Sequence, residues 1–229
     1  MRGPNPVFES QAVFIIDVQQ GLIAGPDAIP DALEVRQAVH NIIERIRQHN
    51  DTAQLNNESS GRIKIVFVQH NDKDPHDPLY KGKPTWELMF SPRKDDDAEL
   101  LVFKDVGASC PYKVDGISCA MSKLIRLGNV FESNVQLGQE LRLQGITRIA
   151  VTGLQSDFCV RASIIGAIAS GFDAPNITLL QGTHSTFNDA YAGKLHSKIK
   201  QDVEEELVGL GVQLQEWQNF TPLDVERQL

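Results

Sequence analysis

A carboxylate and an ammonium close two apolar runs of this chain and a thiol follows a third, and together they have the makings of a nucleophilic site. Cys159 lies in Val151-Thr-Gly-Leu-Gln-Ser-Asp-Phe-Cys-Val160, where an apolar run breaks at Gly153 and a helical pattern starts beside the thiol. A strand-to-helix turn holds a side chain out at the strand's C-terminal end, and a helix N-terminus favours thiolate over thiol. Free cysteine is also among the most buried residue types, so a structural thiol is the competing reading. Asp17 ends Phe14-Ile-Ile-Asp17, and Lys104 ends Leu101-Val-Phe-Lys104. Singly, the acid suits a turn cap and the lysine suits a stem packed on a sheet. Beside a thiol both acquire roles. The ammonium stabilises thiolate and carboxylate charge, while the carboxylate takes the thiol proton and later passes it to a leaving group.

Positioning those groups requires a sheet. Apolar runs rich in Val and Ile at residues 12–16, 63–68, 100–103, 147–152 and 176–180 read as parallel strands covered on both faces, and 212–217 reads as a weaker sixth. Helical patterns occupy 30–49, 133–144, 159–170 and 189–208, the last three followed by Gly145, Gly171 and Gly209, the expected residue past a helix end. The polar tract 50–62 reads as a loop. Repeated β-α-β units predict an α/β protein: a three-layer α-β-α sandwich around a mainly parallel, six-stranded, Rossmann-like sheet in one domain spanning 1–229. Open parallel sheets bind ligands beyond the carboxyl ends of their strands. Asp17, His70, Asn71, Lys104, Gln155 to Cys159, His184 and Ser185 all fall at such ends.

Composition narrows the partners. The chain has 229 residues, with 22 Lys and Arg against 30 Asp and Glu, for a formal charge of −8. No basic run or stripe is present, so nucleic acid and anionic membrane are not expected partners. No apolar run reaches membrane-spanning length, and the first ten residues lack the apolar core of a signal peptide. Three cysteines make no disulfide framework, which fits a reducing, cytoplasmic setting.

The segments Phe14-Ile-Ile-Asp-Val-Gln19, Lys104, Val151-Thr-Gly-Leu-Gln-Ser-Asp-Phe-Cys-Val-Arg-Ala162 and Gln181-Gly-Thr-His-Ser-Thr186 resemble the isochorismatase-like cysteine hydrolases. The resemblance runs from about residue 12 to about residue 190. It implies a catalytic triad of Asp17, Lys104 and Cys159, a cis peptide at Leu154-Gln155, and an oxyanion hole from the backbone N–H groups of Gln155 and Cys159. It further implies a small-molecule substrate, no cofactor, and a homo-oligomer. Gln19, His70, Trp86 and Phe131 are the expected pocket residues, and His184 is expected to be a hydrogen-bonded structural histidine. Relatives that are nicotinamidases carry a metal-binding Asp-x-His after the second strand. This chain has Val68-Gln-His-Asn-Asp-Lys-Asp-Pro-His-Asp77 there, without that spacing. His70, Asp72 and His76 are the ligand candidates, and no metal is expected.

One stretch departs from the family pattern. In relatives a Phe follows the lysine by about six residues, whereas Lys104 and Phe131 are far apart. Deleting 108–128 leaves Lys104-Asp-Val-Gly-Asn-Val-Phe and restores the spacing. The stretch carries Cys110 and Cys119, and also Lys123, the rival to Lys104, which follows no apolar strand. It reads as a lid over the site or as translated non-coding sequence. The leading functional expectation is hydrolysis of a C–N bond in a small amide, ureide or related compound. Enol-ether hydrolysis of an isochorismate-type substrate is a second reading, although that chemistry does not require a thiol. A non-catalytic member disabled by the insertion is a third.

Overall fold

The computed structural model describes residues 10–56, 61–105 and 128–222. The expected insertion, with Cys110, Cys119 and Lys123, lies outside the described residues apart from Gly128. Six strands form the sheet: β1 Ser10–Ile16, β2 Lys64–Asn71, β3 Glu99–Asp105, β4 Ile146–Leu154, β5 Ile177–Ser185 and β6 Gln213–Glu216. Their order is β3-β2-β1-β4-β5-β6, and every pairing is parallel. The order reverses direction at the centre, between β1 and β4, which is where an open sheet of this kind leaves a crevice.

Alternation along the strands assigns each face its helices. Phe14, Ile16, Val66 and Val68 face a layer made by α3 Val130–Ser133, α4 Leu137–Leu143, α5 Arg161–Ala169 and α6 His196–Gly209, through residues such as Phe131, Leu141, Ile164 and Leu207. Val13, Ile15, Ile65 and Phe67 face α1 Gln20–Ile23 and the long α2 Ala32–Leu55, whose buried stripe includes Val35, Val39, Ile42 and Ile46. That stripe recurs every three to four residues, as one buried helical face requires. The result is the expected three-layer sandwich.

Several boundaries differ from the sequence reading. Helix α2 runs on to Leu55, through part of the tract taken for a loop, because buried Ala53 extends its apolar stripe. The pattern at 133–144 resolves into two short helices, α3 and α4. Helix α6 begins only at His196, since Asp189 and Lys194 pair across a turn containing Gly193 and Asn188 accepts a hydrogen bond from the His196 N–H. Strand β3 is an edge strand and is not covered on both faces: Val102 is buried, but Leu101 and Phe103 stay partly exposed.

Candidate active site

Strand β1 ends at Ile16, and the backbone turns at once at Asp17, whose φ of 51° lies in the left-handed region that Asp tolerates better than most residues. Strand β4 runs alongside it. At Gly153 the β4 backbone approaches Ile16 so closely that an added Cβ would collide with the Ile16 carbonyl, and φ there is +123°. Only glycine permits that approach, which brings the turn after β4 up to Asp17. The Leu154-Gln155 peptide is cis, as the resemblance implies. Residues Ser156–Val160 then form a single wide turn of π-type, closed by a hydrogen bond from the Val160 N–H to the Gln155 carbonyl at 3.0 Å, and α5 follows. Cys159 thus sits in the first, wide turn of a helical run that continues unbroken into α5, as the sequence reading placed it.

Three side chains from three strand ends meet here. Lys104 is the next-to-last residue of β3, fully buried, and its Nζ lies 2.7 Å from Asp17 Oδ2. The same ammonium donates to Cys159 Sγ at 3.1 Å and to His70 Nδ1 at 3.1 Å. The other Asp17 oxygen, Oδ1, is buried and has no hydrogen-bond partner among the described residues. A carboxylate lone pair without a protein partner is a ready acceptor for a proton or an N–H.

The electrostatics oppose one sequence expectation. Burial first, and then the Asp17 carboxylate, push the Cys159 thiol up to about 12, and the Lys104 ammonium offsets this only in part. The resting sulfur is a thiol, and the turn geometry does not make it a thiolate. Burial works to lower the Lys104 pKa, but the Asp17 carboxylate and then Cys159 outweigh it, so the amine is held protonated. His70 is lowered, first by burial and then by Lys104, which leaves it neutral with Nδ1 as acceptor.

These groups open onto a cavity of about 730 Å³. Asp17, His70, Gln155 and Cys159 line it, together with Gly128. Three of the expected pocket residues do not. Gln19 is fully buried and braces the chain: its Nε2 donates to the carbonyls of His70 and Trp86 at 3.1 and 2.7 Å, and its Oε1 accepts from the His70 N–H at 2.9 Å. Trp86 lies on the exposed side of β3, where its ring stacks on Phe103 at 6.4 Å and its Nε1 donates to Asn71 Oδ1. Phe131 belongs to the core, packed between Phe14 and Phe172. Among the described residues no group of three or more His, Cys, Asp and Glu side chains is placed to hold a metal ion. His184 is fully buried, as expected for a structural histidine. Its Nδ1 shares a hydrogen bond with Ser156 Oγ at 2.8 Å, and its Nε2 lies 3.2 Å from Glu204 Oε1, which sets it between the Cys159 turn and α6.

Two features escaped the sequence reading. The first is Gly128: a Cβ there would stand 2.9 Å from Cys159 Cα and 3.1 Å from Cys159 N. Since Gly107 and Gly128 are both glycines, removing 107–127 restores the family spacing as well as removing 108–128 does. The packing sets Gly128 directly against the backbone that carries the thiol. The second is the outer wall, built from Leu22 of α1 and from loop residues that include Asp27, Asp77, Leu79 and Phe187. The Gly-Leu-Ile-Ala-Gly-Pro-Asp run directly after the Asp17 segment was the available signal for part of it.

A parallel α/β fold with a thiol, an ammonium and a carboxylate joined at its central crevice is the class defined so far. The protein has the isochorismatase-like hydrolase fold. It superposes on an isochorismatase family protein with a TM-score of 0.63, at 20% identity over 91% of this chain and 99% of that one. It superposes on the N-carbamoylsarcosine amidase of Thermoplasma acidophilum with a TM-score of 0.60, at 16% identity over 92% and 98% of the two chains. In sequence it is similar to a streptothricin hydrolase of Streptomyces noursei, 26% identical over 178 residues, which is 78% of this chain and 55% of the relative. The chain therefore spans about half the length of the curated relatives it matches. No family model matches.

Proposed function

We propose that this chain is a cysteine hydrolase of the isochorismatase-like family that cleaves a C–N bond of a small amide, ureide or related compound. The observation that carries this reading is the single ammonium of Lys104, 2.7 Å from Asp17 Oδ2 and 3.1 Å from Cys159 Sγ, at the floor of an open cavity. The likeness in fold to an amidase and in sequence to a hydrolase supports it.

The resting thiol dictates the order of events. Cys159 Sγ attacks the substrate carbonyl as its proton passes to Asp17, whose Oδ1 is free to accept it. The carbonyl oxygen becomes an oxyanion against the backbone N–H groups of Gln155 and Cys159. Asp17 gives the proton to the departing nitrogen, the C–N bond breaks, and a thioester on Cys159 remains. Water enters, Asp17 takes its proton, the hydroxide oxygen displaces the sulfur to release the acid, and Asp17 returns the proton to the sulfur to restore the thiol. Lys104 stays protonated throughout and balances whichever of Asp17 and Cys159 carries the negative charge.

The test is release of ammonia or amine from a panel of small amides and ureides. Hydrolysis of at least one substrate should fall by at least about 10²-fold in Cys159→Ala, Asp17→Asn and Lys104→Ala. Turnover that survives in Cys159→Ala would refute the reading.

A further inference from the structure

The cavity carries an unbalanced negative charge. Asp17, Asp27, Asp72 and Asp77 line it, and among the described residues no lysine or arginine does. Lys104 lies beneath the floor, fully buried, with its charge engaged by Asp17. Each remaining acid keeps capacity to spare. Asp72 accepts from the Asp74 N–H at 2.8 Å, and its nearest basic group is the neutral imidazole of His70, 3.6 Å away. Asp77 accepts from the Leu79 N–H at 2.7 Å, while the Lys83 ammonium is spent on the Asp77 main-chain carbonyl. Asp27 is exposed at the rim. A second observation lies deeper: Asp17 Oδ1, on a residue only 1% exposed, is an unpartnered acceptor at the reacting end. Leu22, Leu79, Phe158 and Phe187 add apolar surface to the lining.

We propose that this site selects amides bearing an ammonium or guanidinium group, seated against Asp27, Asp72 and Asp77 while the scissile carbonyl meets Cys159. The inference rests on the hydrolase reading above and names its substrate class. Unlike charges in a low-dielectric cleft attract, and a cleft lined by one sign concentrates ligands of the other. A carboxylate substrate would meet these acids with no lysine or arginine of the described residues lining the cavity. Among the described residues no three acid, His or Cys side chains converge as metal ligands do, which suits an organic cation.

The experiment compares three thiol reagents of different charge on the full chain at neutral pH and low salt: 2-bromoethylamine, iodoacetamide and iodoacetate. Modification of Cys159 is followed by peptide mass spectrometry, and each rate is divided by that of a neutral free thiol with the same reagent. The normalised rates should fall from cation to neutral to anion, with roughly a tenfold span between the extremes. That span should shrink at high salt and in the Asp27→Asn/Asp77→Asn double variant. A flat or inverted order overturns the proposal. If amides are hydrolysed through Cys159 yet the charge order is flat, only the substrate class falls. If Cys159 reacts with none of the reagents and no amide is hydrolysed, the hydrolase reading falls and takes this inference with it.

Discussion

The chemistry at Cys159 turns on where one proton rests. Burial and the neighbouring carboxylate keep it on sulfur, and Lys104 pulls the other way. Replacing Asp17 with Asn removes the negative neighbour and leaves the ammonium, so the thiol pKa should drop. Alkylation by iodoacetamide at neutral pH should then speed up by roughly threefold or more, while amide turnover falls by at least about 10²-fold for want of a proton carrier. Stopped-flow alkylation beside a turnover assay checks this. A parallel fall of both rates would mean that Asp17 acts only by holding the thiol in place. The meeting of the three side chains was legible because acid and amine each close an apolar run and the thiol follows a third. It misjudged the resting state, because the pKa depends on burial and on distances that no spacing reveals.

At the scale of elements, the site depends on two close backbone approaches. Gly153 lets β4 press on β1, and Gly128 lets the start of α3 press on the Cys159 turn. Gly128→Ala would force a Cβ within 2.9 Å of Cys159 Cα, where no side chain can swing aside. It should cost about 1–3 kcal/mol in a urea titration and lower kcat more than it raises KM, since the nucleophile is what moves. A variant with native stability and native kcat would show that the contact is unimportant. The strands and their order of use were legible because buried parallel strands are nearly continuous apolar runs. The wall of the cavity was not. Gln19, Trp86 and Phe131 were expected there from likeness alone, but a fully buried amide braces two loops, a ring stacks outside β3, and a phenyl fills the core. The rest of the lining comes from α1, the Cys159 turn and the loops after β1, β2 and β5, where little periodicity guides a reading.

The whole molecule shows the consequence of burying an ionisable trio at its centre. The folded state holds protons on both Cys159 and Lys104 more tightly than an unfolded chain does, since both pKa values are raised. That contribution to stability is fully present below the ordinary thiol range near pH 8.5 and is lost as pH rises toward about 12. Thermal melts of the native chain should therefore decline through this alkaline window, and the decline should be shallower in Cys159→Ala. Equal slopes would argue that the thiol is not held protonated by the fold. Among the described residues no helix is long and apolar enough to cross a membrane. The crevice at the reversal of strand order, between β1 and β4, is where the sheet offers its ligand site, and both Asp17 and the Cys159 turn emerge from those two strands.

The central claim is a covalent intermediate on one sulfur. Acid-quenching the enzyme during turnover of a hydrolysed amide, followed by peptide mass spectrometry, should find the acyl group on the Cys159 peptide and nowhere else, with no adduct in Cys159→Ala. Full turnover without an adduct, or an adduct on another residue, would contradict the account.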